Sequence, residues 1–324
     1  MSSPKIIFLA TAPFAVPSLK LLAKSDYCPL AVVTRPDRPS GRGKKFLSPP
    51  VKKTAAELGL EVLQPKGKEE LYWVVEQAHP DIIINVAYGM ILPARILEHP
   101  VLGCVNVHPS LLPNYRGAAP VRRAIMAGEQ VTGVSVMYMA EEMDAGDIIL
   151  QEQVLIAEEE TYGMLHDRLA QVGAELLQQA LNLLQQGIAP RIPQEEEKAT
   201  YAPPLAPEDE ILDWSQTAEA IYNQVRGMEP SPGVYTWFSG KRLKLRKVIP
   251  VHKPGQKQGD KSPLCSETGQ HVPGTVCWIE KDNFLVAAGQ GYLKITELQP
   301  EGKKRISAGD FLRGYNLQVG DTLG

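Results

Sequence analysis

The sequence predicts an α/β protein, a mostly parallel sheet with helices on both faces followed by a smaller β-barrel. Three observations carry that prediction. Short apolar runs alternate with helix-like stretches through the first half of the chain, the pattern of strands buried on both faces. Residues 188–210 then gather Pro190, Pro193, Pro203, Pro204 and Pro207 among many glutamates, a composition suited to a crossing between domains. Beyond it, short β-type runs are separated by turn residues, as in a small barrel. The boundaries expected are a first domain over 1–189, a linker over 190–207 and a second domain over 208–324.

The elements follow in order. KIIFLA (5–10) is a buried strand, SLKLLAKS after Pro17 has helical spacing, and LAVVTR (30–35) is a second strand. A Pro/Gly/basic loop follows. VKKTAAELG reads as a helix ending at Gly59, ELYWVVEQA as another, and DIIINVA (81–87) as a strand. GCVNV, GVSVMYM and DIILQEQVLI complete the strand series. From Tyr162 to Gln186 the apolar residues Leu165, Leu169, Val172, Leu176, Leu177, Ala180, Leu181 and Leu184 fall on one helical stripe, and Gly187 stands where a C-cap belongs. The second domain opens with a helix over 215–227. GVYTWF, RLKLRKVI, GTVCWI, FLVAAG and YLKITELQ follow, interrupted by a Gly/Pro/Lys-rich loop over Pro250–Gly274.

At 324 residues the chain can hold two cores. Its net charge of −3 does not mark a general polyanion binder, so such a partner must be met by local patches. The four cysteines, Cys28, Cys104, Cys265 and Cys277, form no CxxC pair. That argues against zinc and disulfide frameworks and for reduced thiols. No apolar run reaches membrane length, and the N-terminus lacks a signal-peptide layout. A cytoplasmic protein is expected, without a membrane partner; an organellar protein freed of its transit peptide would have the same sequence features.

Chemistry gathers in NVHPSLLPNYRG (106–117). A strand alternates its side chains, so Asn106 and His108 share a face at the end of an apolar run. Pro109 then stops the strand. An amide donor beside a titratable base suits acyl-type chemistry; for the pair alone, a strand end with satisfied side chains fits equally well. Asp144, in EEMDAGDI between two β-type segments, is the third candidate. An acid beside an imidazole holds it in one tautomer, although Asp-x-Gly is commonly a plain turn. Other classes lack their signatures. No Gly-x-Gly-x-x-Gly follows the first strand, no Walker A motif is complete at GRGKK, and GxSxG is missing around Ser110.

RPDRPSGRGKKFLSPPVKK (35–53) carries seven basic residues against the single acid Asp37. A flexible basic loop on the carboxyl-end side of a sheet suits phosphate contacts; charge runs are also ordinary solvated surface. A second cluster, Lys241, Arg242, Lys244, Arg246 and Lys247, lies on one barrel strand, and Lys303, Lys304 and Arg305 form a third. Such patches can track an RNA backbone or simply keep an exposed strand soluble.

NVHPSLLPNYRGAAP, with TGVSVMYM and MDAGD, resembles the folate-dependent formyltransferases. The likeness runs along essentially the whole chain, through ATAPFAVP, RPDRPSGRGKK, VAYGMILP, QEEEKATYAPPL, ILDW and ELQPEGKK. It implies a Rossmann-like first domain and an OB-like second one. It implies Asn106, His108 and Asp144 as the catalytic trio, and 10-formyltetrahydrofolate as formyl donor. The donor pocket would be lined by Val86, Ala87, Tyr88, Gly89, Ile91, Leu92, Ser110, Leu111, Leu112, Pro113 and Asp144. No metal is implied, since a formyl donor is already activated. The basic loop and barrel match the branch that formylates methionine on initiator tRNA. Its acceptor stem would then meet Arg38, Arg42, Lys44, Lys45, Lys241, Arg242, Lys244 and Arg246. A monomer is expected. The alternatives are the same chemistry on a small amine and a non-catalytic RNA-binding protein. The chain departs from the family pattern at Ala10, Ala12 and Pro13, at Arg123 where an aromatic residue is usual, and at Ser231 where tryptophan is usual.

Overall fold

The computed structural model describes residues 3–40, 45–251 and 271–324. The chain divides into two compact units. The first comprises Met1–Pro120, Val131–Leu155 and Leu165–Pro203; the second comprises Val121–Gln130, Ile156–Met164 and Pro204–Gly324.

The strands of the first unit are β1 (Ile6–Ala10), β2 (Ala31–Val33), β3 (Arg38–Ser40), β4 (Lys45–Leu47), β5 (Val62–Leu63), β6 (Ile82–Val86), β7 (Cys104–His108), β8 (Val131–Tyr138) and β9 (Ile148–Leu155). Seven of them form one sheet in the order β5-β2-β1-β6-β7-β8-β9. Pairing is parallel from β5 through β7 and antiparallel from β7 to β9, so the Rossmann-like, mostly parallel sheet stands. The helices are α1 (Val16–Leu22), α2 (Pro50–Glu57), α3 (Lys68–Ala78), α4 (Ala94–Leu97), α5 (Pro120–Met126), which from Val121 on belongs to the second unit, and α6 (Tyr162–Gln185), which belongs to the first from Leu165 on. On one face Ile7, Leu9, Val33 and Ile83 pack with Leu71 and Val75 of α3 and Ile96 of α4. On the other, Gly173 of α6 lies against Val107 and Val134, where a Cβ would come within 3.0 Å of Val107. The missing side chain lets the helix sit close on β7 and β8.

Chain order reverses beside β1, which leads to β2 on one side and pairs with β6 on the other. The carboxyl ends of β1 and β6 thus form the switch point where such sheets bind ligands. The Ala12 N–H donates to the Ala87 carbonyl at 3.3 Å and the Thr11 hydroxyl to the Tyr88 carbonyl at 3.0 Å. Ala12, one of the departures, thereby ties the two strand ends together through backbone alone.

The basic segment is not a plain loop. β3 and β4 pair antiparallel, Arg38 opposite Leu47 and Ser40 opposite Lys45. Charge and Pro39 hid these strands from the sequence pattern. Asp37 anchors the base of the hairpin, accepting from Lys52 Nζ at 2.8 Å and Gln64 Nε2 at 2.9 Å. Those hydrogen bonds hold its carboxyl below the usual carboxylate range. Arg42 and Lys44 lie outside the described residues, as does most of the Pro250–Gly274 stretch.

The second unit contains α7 (Ala218–Gly227), β10 (Val234–Phe238), β11 (Lys241–Val251), β12 (Val276–Ile279), β13 (Phe284–Ala287), β14 (Tyr292–Pro300), β15 (Ile306–Ser307) and α8 (Ala308–Gly314). Its antiparallel sheet runs β10-β11-β14-β13-β12, with β15 on β14. No ladder joins the outer strands β10 and β12 among the described residues. Ile221 and Val225 of α7 and Phe311 of α8 fill the core with Leu243, Leu245, Phe284 and Ile295. Both helices start on a hydroxyl cap, Thr217 accepting from the Ala220 N–H and Ser307 from the Asp310 N–H.

Arg123, the second departure, has a polar purpose inside this unit. Its guanidinium forms a forked pair with Asp209 at 2.8 and 2.7 Å, and those hydrogen bonds lower the Asp209 carboxyl pKa. A carboxyl lowered in the folded state adds stability above its unfolded value, about pH 4, and loses it as pH falls through the folded value. Arg123→Met should therefore cost about 1 kcal/mol at neutral pH. Unfolding measured below about pH 3.5 should show that gap closing.

Candidate active site

The site forms at the carboxyl end of β7. Its sequence, CVNVH, buries Cys104, Val105 and Val107, and the same pleat carries Asn106 and His108 onto one face. Burial pushes the Cys104 thiol up to about 12, which leaves it an inert core residue. Asn106 and His108 are themselves 8% and 4% exposed. The antiparallel partner β8 sets Met137 opposite Asn106 and Ser135 opposite His108. The turn from β8 into β9 then brings Asp144 back over them.

Asp144 takes a left-handed backbone conformation, φ 55°, which costs a non-glycine residue roughly 1–2 kcal/mol. The carboxylate it presents meets three groups. Oδ2 accepts the Gly117 N–H at 2.8 Å and stands 3.6 Å from His108 Nδ1. Oδ1 lies 3.5 Å from Asn106 Nδ2. The last two distances are long, so the amide and the imidazole edge stay available to a reacting group. The His108 tautomer is set elsewhere. Nε2 faces the Tyr115 carbonyl at 3.0 Å, and because a carbonyl only accepts, Nε2 carries a hydrogen. The structure thus brings Asn106, His108 and Asp144 together, with the Tyr115 carbonyl as the group that orients the ring.

The loop from Ser110 to Gly117 is held from several sides. Ser135 Oγ donates to the Ser110 carbonyl at 2.6 Å and accepts the Leu112 N–H at 3.1 Å. Gln151 Nε2 donates to the Leu112 carbonyl at 2.8 Å. The Ser110 hydroxyl donates to the Asn114 carbonyl at 2.6 Å and is committed to the loop. Residues 200–202 pair with its far end. Thr200 Oγ1 accepts the Tyr115 N–H at 2.9 Å, the Thr200 carbonyl accepts the Arg116 N–H at 2.9 Å, and Ala202 N–H donates to the Arg116 carbonyl at 2.7 Å. Gly117, at φ 120°, is required there, since a Cβ would lie 2.8 Å from the Ala202 carbonyl oxygen.

The remaining expected residues divide by place. Val86, Ala87, Tyr88, Gly89, Ile91 and Leu92 leave β6 at the switch point. Val86, Tyr88 and Leu92 are buried, while Ile91 is exposed. Leu112 packs with Met137 and Ile148. Leu111 lies against Gly133, and the Pro113 carbonyl accepts the Thr200 N–H. Two buried polar atoms in this region lack a partner, Tyr88 Oη and Asn85 Oδ1. Asn85 lies directly opposite Asn106 in the β6–β7 register. Burial raises the Tyr88 phenol pKa, leaving a neutral donor. A Cβ on Gly89 would meet nothing within 4 Å, so the backbone is open at that position. Arg38 and Lys45 fall on β3 and β4. In the second unit Lys241 and Arg242 are exposed. Lys244 Nζ donates to the Pro232 carbonyl, and Arg246 pairs with Glu229 at 3.0 Å and bonds Gln299. The sequence pattern gave no sign of Arg116, Gln194 and Thr200. The signal that could have pointed to Arg116 is an arginine between turn residues, which needs an acid or amide partner once buried.

The site and the two-unit fold together match one class of enzyme. Residues 5–181 match the family described as formyl transferase, and residues 204–316 match the formyl transferase C-terminal domain. The chain belongs to the formyl transferase family. Along its length it is similar to the methionyl-tRNA formyltransferase of Moorella thermoacetica, 48% identical over 322 residues and 99% of each chain. That of Bacillus subtilis is 43% identical over 325 residues, 99% of this chain and 98% of the other. Two solved structures share the fold. HypX from Aquifex aeolicus in complex with tetrahydrofolic acid has a TM-score of 0.62 at 19% identity, covering 100% of this chain and 51% of that one. An N-formyltransferase from Helicobacter canadensis, with folinic acid and dTDP-3-aminofucose, has a TM-score of 0.64 at 16% identity, covering 94% and 100%. Among the described residues no helix is long and apolar enough to cross a membrane.

Gly117→Ala tests the loop geometry. It should cut formyl transfer by roughly tenfold or more, because the new methyl group displaces the N–H that holds Asp144. An undiminished kcat in the folded variant would show that this N–H is dispensable.

Proposed function

We propose that this chain transfers the formyl group of 10-formyltetrahydrofolate to the α-amino group of methionine on initiator Met-tRNA. The observation that carries the proposal is the convergence of Asn106, His108 and Asp144 at the end of β7, in a chain 48% identical to a methionyl-tRNA formyltransferase over 322 residues. The donor supplies an activated one-carbon group; the remaining work falls to the protein. The unpartnered Tyr88 Oη and Asn85 Oδ1 and the backbone of residues 86–92 are the groups that would hold it.

The methionine amine attacks only when neutral, and an α-amino group has an intrinsic pKa of roughly 8. A nearby carboxylate able to take a proton therefore matters more than a strong base. Asp144 is that carboxylate, 13% exposed and fixed by the Gly117 N–H. As the new C–N bond forms, negative charge develops on the formyl oxygen. Asn106 Nδ2, only loosely engaged, donates to it; one such donor contributes about 3 kcal/mol. His108 turns Nδ1 toward the reacting groups, because Nε2 is directed at Tyr115. The proton shed by the amine passes through Asp144 to the departing folate nitrogen.

For the acceptor stem, exposed Lys241 and Arg242 on β11 supply phosphate contacts, with Arg42 added from the basic segment by sequence. One chain carries both the site and the basic strand, so a monomer suffices. The cytoplasm, where aminoacylated tRNA is consumed, is its place of work.

A purified-component assay offering Met-tRNA, uncharged tRNA and small amines with formyl folate tests the reading. Product should form on Met-tRNA alone, and formylation of a small amine in preference would overturn the acceptor assignment. Asn106→Ala and His108→Ala should each slow transfer by roughly 100-fold without unfolding the chain. Near-wild-type rates in both would remove their roles. Lys241→Ala with Arg242→Ala should weaken tRNA use and flatten its dependence on log salt by about 1–2 in slope.

A further inference from the structure

Behind Asp144 stands a buried arginine that the reaction does not touch. Arg116 is 2% exposed. Its Nη1 and Nη2 meet the two oxygens of Glu196 at 2.8 and 2.9 Å. Its Nε and Nη2 also donate to Gln194 Oε1 at 3.1 and 2.9 Å. The other end of the Gln194 amide, Nε2, donates to the Asp144 carbonyl at 2.8 Å and the Gly146 carbonyl at 2.7 Å. Chemistry fixes the orientation of this amide. Turned over, it would set NH₂ against a guanidinium and oxygen against two carbonyls.

The connection has a consequence for the turn. Asp144 sits at φ 55°, a conformation a non-glycine residue keeps only when its surroundings over-determine it. Gly146 allows the turn to close, since a Cβ there would lie 1.9 Å from the Tyr138 carbonyl oxygen. Gln194 then ties the carbonyls on either side of Ala145 to one side chain. Arg116 holds that side chain, and Glu196 holds Arg116. From the Glu196 carboxylate to the Asp144 backbone, each link is a hydrogen bond whose donor and acceptor are unambiguous.

We propose that Gln194 and Arg116 are positioning residues for formyl transfer. They hold the left-handed turn that aims the Asp144 carboxylate at Asn106 and His108. The proposal rests on Asp144 acting in the reaction.

The test is a double-mutant cycle on the full-length enzyme with Met-tRNA and formyl folate under single-turnover conditions. Gln194→Ala should lower the transfer rate by roughly 10- to 100-fold, with the KM values for both substrates within about twofold. In an Asp144→Asn background the same change should have little further effect, because the carboxylate it positions is gone. Equal losses in both backgrounds would assign Gln194 a general structural role and overturn the proposal. So would an unaffected Gln194→Ala enzyme. If instead Asp144→Asn alone retains wild-type transfer, the underlying reading of the site fails. Gln194→Met, which keeps the bulk without the amide, carries the same cycle should the alanine variant not fold.

Discussion

Strand β7, the loop that follows it and the turn between β8 and β9 meet at the Asp144 carboxylate, and the site depends on that meeting. Gly117 comes from the loop after β7, Asn106 and His108 from β7 itself, and Asp144 from the turn between β8 and β9. A carboxylate so nearly buried needs donors for its lone pairs, and an unpaired one would cost several kcal/mol. One strong donor, the Gly117 N–H at 2.8 Å, meets part of that need from the backbone. The two side chains stand farther off. The arrangement meets part of the carboxylate's need while Asn106 Nδ2 and His108 Nδ1 keep hydrogen-bonding capacity.

The same constraint accounts for the loop around it. To direct an N–H at Asp144, residue 117 must adopt φ 120° against the Ala202 carbonyl, which only glycine tolerates. To direct a carbonyl at His108, Tyr115 must also turn left-handed, at φ 60°. Neither conformation is self-supporting. Residues 200–202 hydrogen-bond Tyr115, Arg116 and Ala119 and supply what local preference does not. The stretch read by composition as a passage between domains is, up to Pro203, part of the first unit.

That difference shows where the sequence was legible. KIIFLA and DIIINVA announce strands because a parallel sheet needs unbroken apolar runs. The i, i+2 spacing of Asn106 and His108 alone puts both on one face. Asp144 could be joined to them only because its turn follows a strand expected beside theirs. Gln194 and Thr200 had no such signal. They act across 50 and 85 residues of chain, within a segment lacking periodicity, and a single sequence carries no trace of a partner chosen by tertiary packing. The β3–β4 hairpin was missed for the converse reason: its residues look like a loop, and Asp37, Lys52 and Gln64 pin it from outside the ladder.

Counting basic residues in the second unit overstates the field a phosphate would feel. Arg246 and Arg305 converge on the 7%-exposed Glu229, and Arg305 also pairs with Glu297. Charges neutralised at contact distance contribute little beyond a Debye length of about 8 Å. Lys241 and Lys247 remain exposed on β11, with Lys303 and Lys304 after β14. Arg242 lies with its guanidinium 4.6 Å from the Tyr235 ring centroid, a cation–π contact that braces the side chain while leaving the charge intact. The patch is therefore smaller than the sequence suggests and better defined. What remains for a polyanion is one braced guanidinium among exposed lysines, a local patch rather than a general field.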